Sequence, residues 1–370
     1  MLRNTFARLP FFIVCLILAA PQAHALSFWS KKTDIPKEAE TTTPASLPPS
    51  APPVPRLIGD LETITSKYED TLVHLARKYN VGFVELRAAN PGIDPWLPGK
   101  NTQLIIPTQH ILPDAPQQGI VINLPEMRMY FYITPGEPPA SFPIGIGRSG
   151  LTTPLGTTTV ERMGTDPIWY PTDRMRKEDP KLPVAVPPGP ENPMGTHAMY
   201  LGWPSYAIHG TDKPYSIGRR LSSGCIRMYP EDILTVFDNV DPGTQVTVVD
   251  QPVKTAWIND QYYIQVHPTQ EQSDILSKDA VHHSIYPLND ADIKTILAGA
   301  GDATDHLDWA KIKKAVRERR GIPIIVGDRT QTPGTASDKA KSELTPEPKK
   351  APDKPAKKPV PKSKDNPQKS

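Results

Sequence analysis

The sequence predicts a mainly β protein: a β-sandwich or barrel-like central domain, a small βααβ module before it and a small α+β segment after it. Three observations carry this expectation. Residues 119–250 fall into many short strand-like runs separated by Gly and Pro turns, as sandwiches and barrels do. Residues 61–108 instead carry apolar side chains at helical spacing between two strand-like ends. Residues 251–327 combine one strand-like run with two amphipathic ones.

With 370 residues the chain is long enough for two domains and tails. It reads as a leader (1–25), a Pro/Thr/Ser-rich linker (26–60), the βααβ module (61–108), the central domain (117–250), a C-terminal subdomain (251–327) and a Lys/Pro-rich tail (328–370). In the leader, Arg3 and Arg8 precede an apolar run at 9–20, and Ala23-His24-Ala25 offers a small-residue cleavage site. That is the pattern of a signal peptide, and the run is short for a membrane span. An uncleaved anchor is the competing reading. Both export the folded part, and the first leaves no membrane span in the mature chain. Many of the 45 prolines fall in the linker and tail, where no core can be buried and disorder is expected. The net charge of +2 gives no bulk reason for a nucleic-acid partner.

In the module, Leu72, Leu75 and Tyr79 share one helical face, with Asp70 or Thr71 as the cap. A second helix is expected at 83–90, closed by Asn90-Pro91-Gly92, and a strand at 104–106. In the central domain, 120–124 and 127–132 flank Pro125-Glu126 as a hairpin. Further strands are expected at 141–147, 156–163, 198–202 and 244–249, with one helix at 231–237 started by Pro230. Residues 170–195 are long, proline-rich and strand-poor, the character of a loop that lines or gates a site. Beyond 252, a strand at 262–266 and helices at 290–297 and 307–319 complete the pattern.

The chemistry concentrates between His209 and Arg227. Of two cysteines, Cys15 lies in the leader, so Cys225 is the lone thiol expected to remain, and no intramolecular disulfide can form. A lone thiol kept in an oxidising compartment suits a nucleophile; a buried structural cysteine is the bland alternative, and Gly224 before it and Arg227 just after argue against a simple apolar core position. His209 is a candidate base for Cys225, giving a thiolate at neutral pH. Gly224 lets a substrate carbonyl approach the backbone, and the amides of Gly224 and Cys225 are candidate oxyanion donors. Ser222 and Ser223 are placed to bond the imidazole or substrate, and Arg227 to pair with a carboxylate. His197 is a second polar candidate on the approach. Each histidine also reads as an ordinary half-buried side chain. Zinc held by His197, His209 and Cys225 is a third option, which lacks any recognised ligand spacing.

Tyr206-Ala-Ile-His209-Gly-Thr and Ser222-Ser-Gly-Cys225-Ile-Arg227 resemble the signature of the L,D-transpeptidase (YkuD-type) catalytic family, a His-Gly motif followed by Ser-(His or Ser)-Gly-Cys-hydrophobic-(Arg or Asn). Thr153-Pro-Leu-Gly156, Trp169-Tyr-Pro171 and Asn192-Pro-Met-Gly195 match as well. Serine at 223 departs from the commoner histidine and leaves the base role on His209. Asp70-Thr-Leu, Ala76-Arg-Lys-Tyr, Ala89-Asn-Pro-Gly92 and Leu97-Pro-Gly99 resemble a lysin motif (LysM), a peptidoglycan-binding module.

The resemblance implies a periplasmic, wall-associated enzyme that acts on peptidoglycan tetrapeptide stems without a cofactor. Cys225 would attack the third, diamino residue and expel the terminal D-alanine, and an amine of a neighbouring stem or a lipoprotein lysine would open the thioester. Gly210, Tyr206, Asn192, His197 and Arg227 are the implied substrate-binding residues. Water as acceptor would give a carboxypeptidase, and a non-catalytic wall-binding protein is the alternative from another class.

Overall fold

The computed structural model describes residues 54–331, apart from 279–280 and 282–284. The expected leader, most of the linker and nearly all of the tail lie outside the described residues.

The N-terminal part consists of β1 (Leu57–Ile58), β2 (Glu62–Thr65), α1 (Leu72–Lys78), α2 (Phe83–Ala89), β3 (Gln103–Ile106) and β4 (His110–Ile111). β2 pairs antiparallel with β3, and β1 with β4, which encloses both helices in a βααβ arrangement. Of the two expected caps it is Thr71 that starts α1: its Oγ1 accepts the His74 N–H at 3.2 Å. Helix α2 begins with the Glu85 carboxylate accepting the Gly82 N–H at 2.9 Å. Its far end is tied to β3 by Asn90, which donates to the Ile105 carbonyl at 2.7 Å and accepts the Ile105 N–H at 2.8 Å.

The central part contains β5 (Gly119–Asn123), β6 (Arg128–Tyr132), β7 (Ala140–Gly147), β8 (Gly156–Thr165), α3 (Asp173–Glu178), β9 (His197–Leu201), β10 (Ala207–His209), β11 (Arg220–Ser222), β12 (Ile226–Met228), α4 (Pro230–Phe237) and β13 (Gln245–Val249). The strands form one sheet in the order β11-β7-β12-β10-β9-β8-β13-β5-β6, and a β6–β7 pairing closes it on itself like a barrel. Closure removes most exposed edges. The expected strands are present, and Pro230 occupies the first turn of α4. Four elements were not expected. Strands β10, β11 and β12 have three residues each, too few to show alternation. The loop at 170–195 also holds the short helix α3, capped by Thr172 Oγ1 on the Met175 N–H.

The C-terminal part has β14 (Val253–Ile258), β15 (Gln261–Val266), α5 (Gln270–Lys278), α6 (Asp290–Ala300), α7 (Trp309–Glu318) and β16 (Ile324–Asp328). Its three strands form an antiparallel sheet, β14-β15-β16, and α6 and α7 pack their apolar sides onto it. Helix α5 and strands β14 and β16 were not anticipated.

A single apolar core runs from the helices into the barrel. Leu75, Phe83 and Leu86 join Ile122, Met129, Ile144 and Ile226, each nearly or fully buried. Every such side chain contributes roughly 1.5–3 kcal/mol on burial. A second core collects Tyr262, Ile264, Ile296, Ile312 and Val316.

Buried charge also links the three parts. Glu85 pairs with Arg128 at 2.8 Å, and Glu126 accepts from Lys254 at 2.6 Å and from Tyr130 at 3.0 Å. These contacts join α2, the β5–β6 hairpin and β14.

The segment that leads to Cys225 is braced from both sides. The Gly218 carbonyl accepts the Val84 N–H at 3.2 Å, and the Arg219 guanidinium sits 3.6 Å from the Phe83 ring centroid. From α5, Ser277 accepts from Arg219 at 3.0 Å and Asp274 pairs with Arg220 at 2.8 Å.

Candidate active site

Strands β10 and β12 run parallel, with Ile208 opposite Ile226 and His209 opposite Arg227. Cys225 lies one residue before β12, so continuing that register back places it beside Ala207. Partners in a ladder share a face and alternate residues return to it, so Ala207, His209, Cys225 and Arg227 lie on one side of the sheet. Cys225, Ala207 and His209 line a cleft of about 810 Å³, together with Ser223, Tyr206 and the aromatic residue Trp169.

The turn into Cys225 is built around a glycine in the left-handed region. Gly224 has φ +115°, and a Cβ there would fall 2.7 Å from Cε1 of Tyr206. Tyr206 is held over this spot by a hydrogen bond from its hydroxyl to the Thr152 carbonyl at 3.3 Å. Below it, Thr153 Oγ1 donates to the Gly224 carbonyl at 2.8 Å and accepts the Gly147 N–H at 3.2 Å. Ser222 turns inward: its hydroxyl donates to the Cys225 carbonyl at 2.5 Å and accepts the Gly224 N–H at 3.1 Å. The Gly224 amide expected for an oxyanion is thus engaged by Ser222, and Ser222 bonds the turn rather than the imidazole. Ser223 is the serine that faces the cleft.

His209 is buried, with Nδ1 2.6 Å from the Gly210 carbonyl oxygen. An acceptor at that distance places the proton on Nδ1 and leaves Nε2 with a lone pair. Burial pushes its pKa down to about 4, and the Arg227 charge adds to this, while the Gly210 and Met194 carbonyls act the other way. Burial raises the Cys225 thiol, and the Ala207 amide and Arg227 partly offset it. Its Sγ approaches the Ser205 carbonyl at 3.6 Å. These environments favour a neutral thiol beside a neutral imidazole at rest, in place of the resting thiolate expected from sequence.

Other candidates sit elsewhere. Asn192 is fully buried outside the cleft; its Nδ2 donates to the Pro167, Val186 and Pro187 carbonyls at 2.7, 3.2 and 3.1 Å, and its Oδ1 accepts the Met194 N–H. It closes the neck of the 170–195 loop rather than meeting a ligand. His197 stacks edge-on against Phe237 of α4 at 4.6 Å, on the face opposite Ala198 and His209, because neighbouring strand residues point to opposite sides. Arg227 is largely covered and is not among the residues lining the cleft. Gly210 donates to the His197 carbonyl at 3.1 Å, and a Cβ there would press on Ile233 at 3.2 Å. Among the described residues no three His, Cys, Asp or Glu side chains are grouped to hold a metal ion.

Sequence reading missed the far wall. Arg162, Tyr200 and Arg174 line the cleft, and the Arg162 guanidinium lies 3.7 Å from the Tyr200 ring centroid. Alternation along β8 and β9 was the available signal. Helix α3, which contributes Arg174 and Met175 to the lining, is tied down by an ion pair from Glu178 to Arg148 at 3.0 Å, shared with Arg174 at 2.6 Å.

The family model for the YkuD L,D-transpeptidase catalytic domain matches residues 117–248. A probable L,D-transpeptidase ErfK/SrfK of Salmonella typhimurium is 37% identical over 288 residues, 75% of this chain and 90% of that protein. A probable L,D-transpeptidase YbiS of Escherichia coli is 39% identical over 277 residues, 73% of this chain and 88% of that protein.

Proposed function

The chain belongs to the L,D-transpeptidase family of enzymes, and on that premise we propose that Cys225 is its acyl-carrying nucleophile and His209 its base. One observation carries this reading: His209, on β10, and Cys225, on the turn into the adjacent parallel strand β12, reach the same cleft, with the imidazole fixed by the Gly210 carbonyl so that Nε2 is the basic nitrogen.

The donor is a peptidoglycan tetrapeptide stem. The Cys225 Sγ–H proton passes to His209 Nε2 as sulfur attacks the carbonyl carbon of the third, diamino residue. Burial disfavours the charged form of both groups, so proton transfer accompanies attack. The Cys225 amide donates to the oxyanion. The C–N bond to D-alanine breaks, and the His209 imidazolium returns its proton to the leaving amine. An acceptor amine, from a neighbouring stem or a lipoprotein lysine, then attacks the thioester, gives a proton to His209 and releases the thiol. Ser223 and Tyr206, which line the cleft, contact the donor.

The βααβ unit with its LysM-like words holds glycan strands, and the 1–25 leader delivers the enzyme to the periplasm. Incubation of the purified protein with disaccharide-tetrapeptide tests the reaction. Release of D-alanine that disappears in Cys225→Ala is expected; equal release by the variant rules the mechanism out.

A further inference from the structure

We infer that Arg162 is a specificity-determining residue that binds a side-chain carboxylate of the donor stem, remote from the scissile bond. This rests on the proposed function and deepens it.

Four residues form a row across the sheet. Arg162 pairs with Tyr200, Tyr200 with Ala207, and Ala207 lies beside Cys225 in the continued β10–β12 register. All four line the cleft. The row therefore leads from the thiol, strand by strand, to a guanidinium laid over the Tyr200 ring. Stacking on an aromatic face leaves the planar N–H edge open to a carboxylate. Arg162 forms no salt bridge among the described residues, and it is solvent-exposed. Two residues along the same face, Gly164 contributes no side chain: Arg162 Nη1 and a Tyr200 ring carbon lie 3.8 Å from where its Cβ would be. That leaves a notch beside the guanidinium.

The cleft has a charge sign. Its lining includes Arg162 and Arg174 but no Asp or Glu, and Arg174 is already paired with Glu178. An anionic ligand fits such a wall, and Arg162 is its available cation. Spacing narrows the choice further. Adjacent strands lie ~4.8 Å apart, so the row spans roughly 14 Å between Cα positions, and the stacked guanidinium over Tyr200 falls roughly 10 Å from Cys225. Each extended residue covers about 3.5 Å, so the terminal carboxylate of the expelled residue is too near the attacked carbonyl. A carboxylate on a side chain further along the stem matches that distance.

The test uses tetrapeptide stems ending in D-alanine, with each side-chain carboxylate replaced in turn by a carboxamide. Wild-type protein, Arg162→Gln and Arg162→Lys are compared by D-alanine release. For one of the amidated stems the wild type is expected to lose roughly 10- to 100-fold in kcat/KM, chiefly through KM, as for a charge-assisted hydrogen bond. Arg162→Gln shows that loss on the free stem and is then indifferent to amidation, while Arg162→Lys recovers part of it. A penalty of equal size in wild type and Arg162→Gln, or no penalty in the wild type, overturns the inference while leaving the transpeptidase reading intact. A wild type silent on every stem removes both.

Discussion

The ring of Tyr206 occupies the space that any side chain on residue 224 would need, since a Cβ on Gly224 would lie 2.7 Å from Tyr206 Cε1. With φ at +115°, the position also excludes other residues on backbone grounds. The carbonyl of Gly224 and the turn into Cys225 are further tied down by Thr153 and Ser222. The sulfur is therefore placed by the backbone, and Tyr206 is the lid on that turn.

Gly224→Ala is expected to displace the ring, the turn or both. A misplacement of about 1 Å at a reacting atom costs on the order of 100-fold in rate. Steady-state D-alanine release measures it, with circular dichroism to show that the fold persists. Wild-type kcat in a folded variant would contradict the role given to the turn.

His209 sets a pH dependence with a definite sign. Its folded pKa is lowered from 6.5 to about 4, so the unfolded chain takes up a proton in that window that the folded site refuses. The stability that the neutral His209 site contributes is complete above pH 6.5 and is lost as pH drops towards 4, a slope that the buried Asp232 carboxyl, raised to about 7, opposes. His267, lowered by burial to about 3, adds to the same slope. Thermal melts at stepped pH are expected to show the His209 share as a difference, with His209→Gln losing less stability than the wild type between pH 6.5 and 4. The acid limb of kcat/KM is expected near pH 4, where the imidazole base is lost, and a limb near 6.5 would place His209 in a wetter site.

Asn192 holds three carbonyls at the neck of the 170–195 loop. Asn192→Ala leaves them without that donor and is expected to cost about 2–4 kcal/mol, given about 1 kcal/mol per hydrogen bond and the burial of the groups left unpaired. Because the loop forms one wall of the cleft, KM should rise, and limited proteolysis should cut within 170–195 sooner than in the wild type. A denaturation midpoint and cleavage pattern like those of the wild type would show that the loop is held otherwise.

Gly218 carries the site's backbone to the N-terminal βααβ part: at φ +71°, a Cβ on it would fall 2.2 Å from the Phe83 amide nitrogen. Gly218→Ala must push the 210–222 segment and α2 apart. A drop in kcat of about 10-fold or more is expected for a displacement of a few tenths of an ångström at Cys225, scaled from the 1 Å case. Unaltered kcat in a folded variant would mean that the brace does not set the position of the thiol.

Much of this arrangement was legible in the residues. Thr71, Pro230 and the Pro125-Glu126 turn mark element ends through local chemistry, and the structure places those ends where they point. His209 and Cys225 stood out as rare side chains in a glycine-rich setting. What escaped was set by tertiary pairing. Strands β10, β11 and β12 are three residues long and exist because the closed sheet supplies partners, on both sides for β10 and β12 and through β7 for β11. The inward turn of Ser222 depends on the left-handed Gly224, and the outward turn of His197 depends on strand phase, which two or three residues of pattern do not reveal. Asn192 looked like a ligand-binding side chain because its turn partners, Pro167 and Pro187, are 25 and 5 residues away in sequence. Helix α5 escaped because it buries only Ser273 and Leu276, so it shows little apolar face.

Trapping the acyl-enzyme is the most direct measurement. The purified protein is mixed with disaccharide-tetrapeptide, quenched in acid and digested, and the peptide bearing Cys225 is weighed by mass spectrometry. A thioester on Cys225 carrying the donor minus D-alanine is expected, absent from Cys225→Ala and accumulating when no acceptor amine is added. Turnover of the tetrapeptide with an unmodified Cys225 at every quench time, and undiminished in Cys225→Ala, would contradict the thioester route.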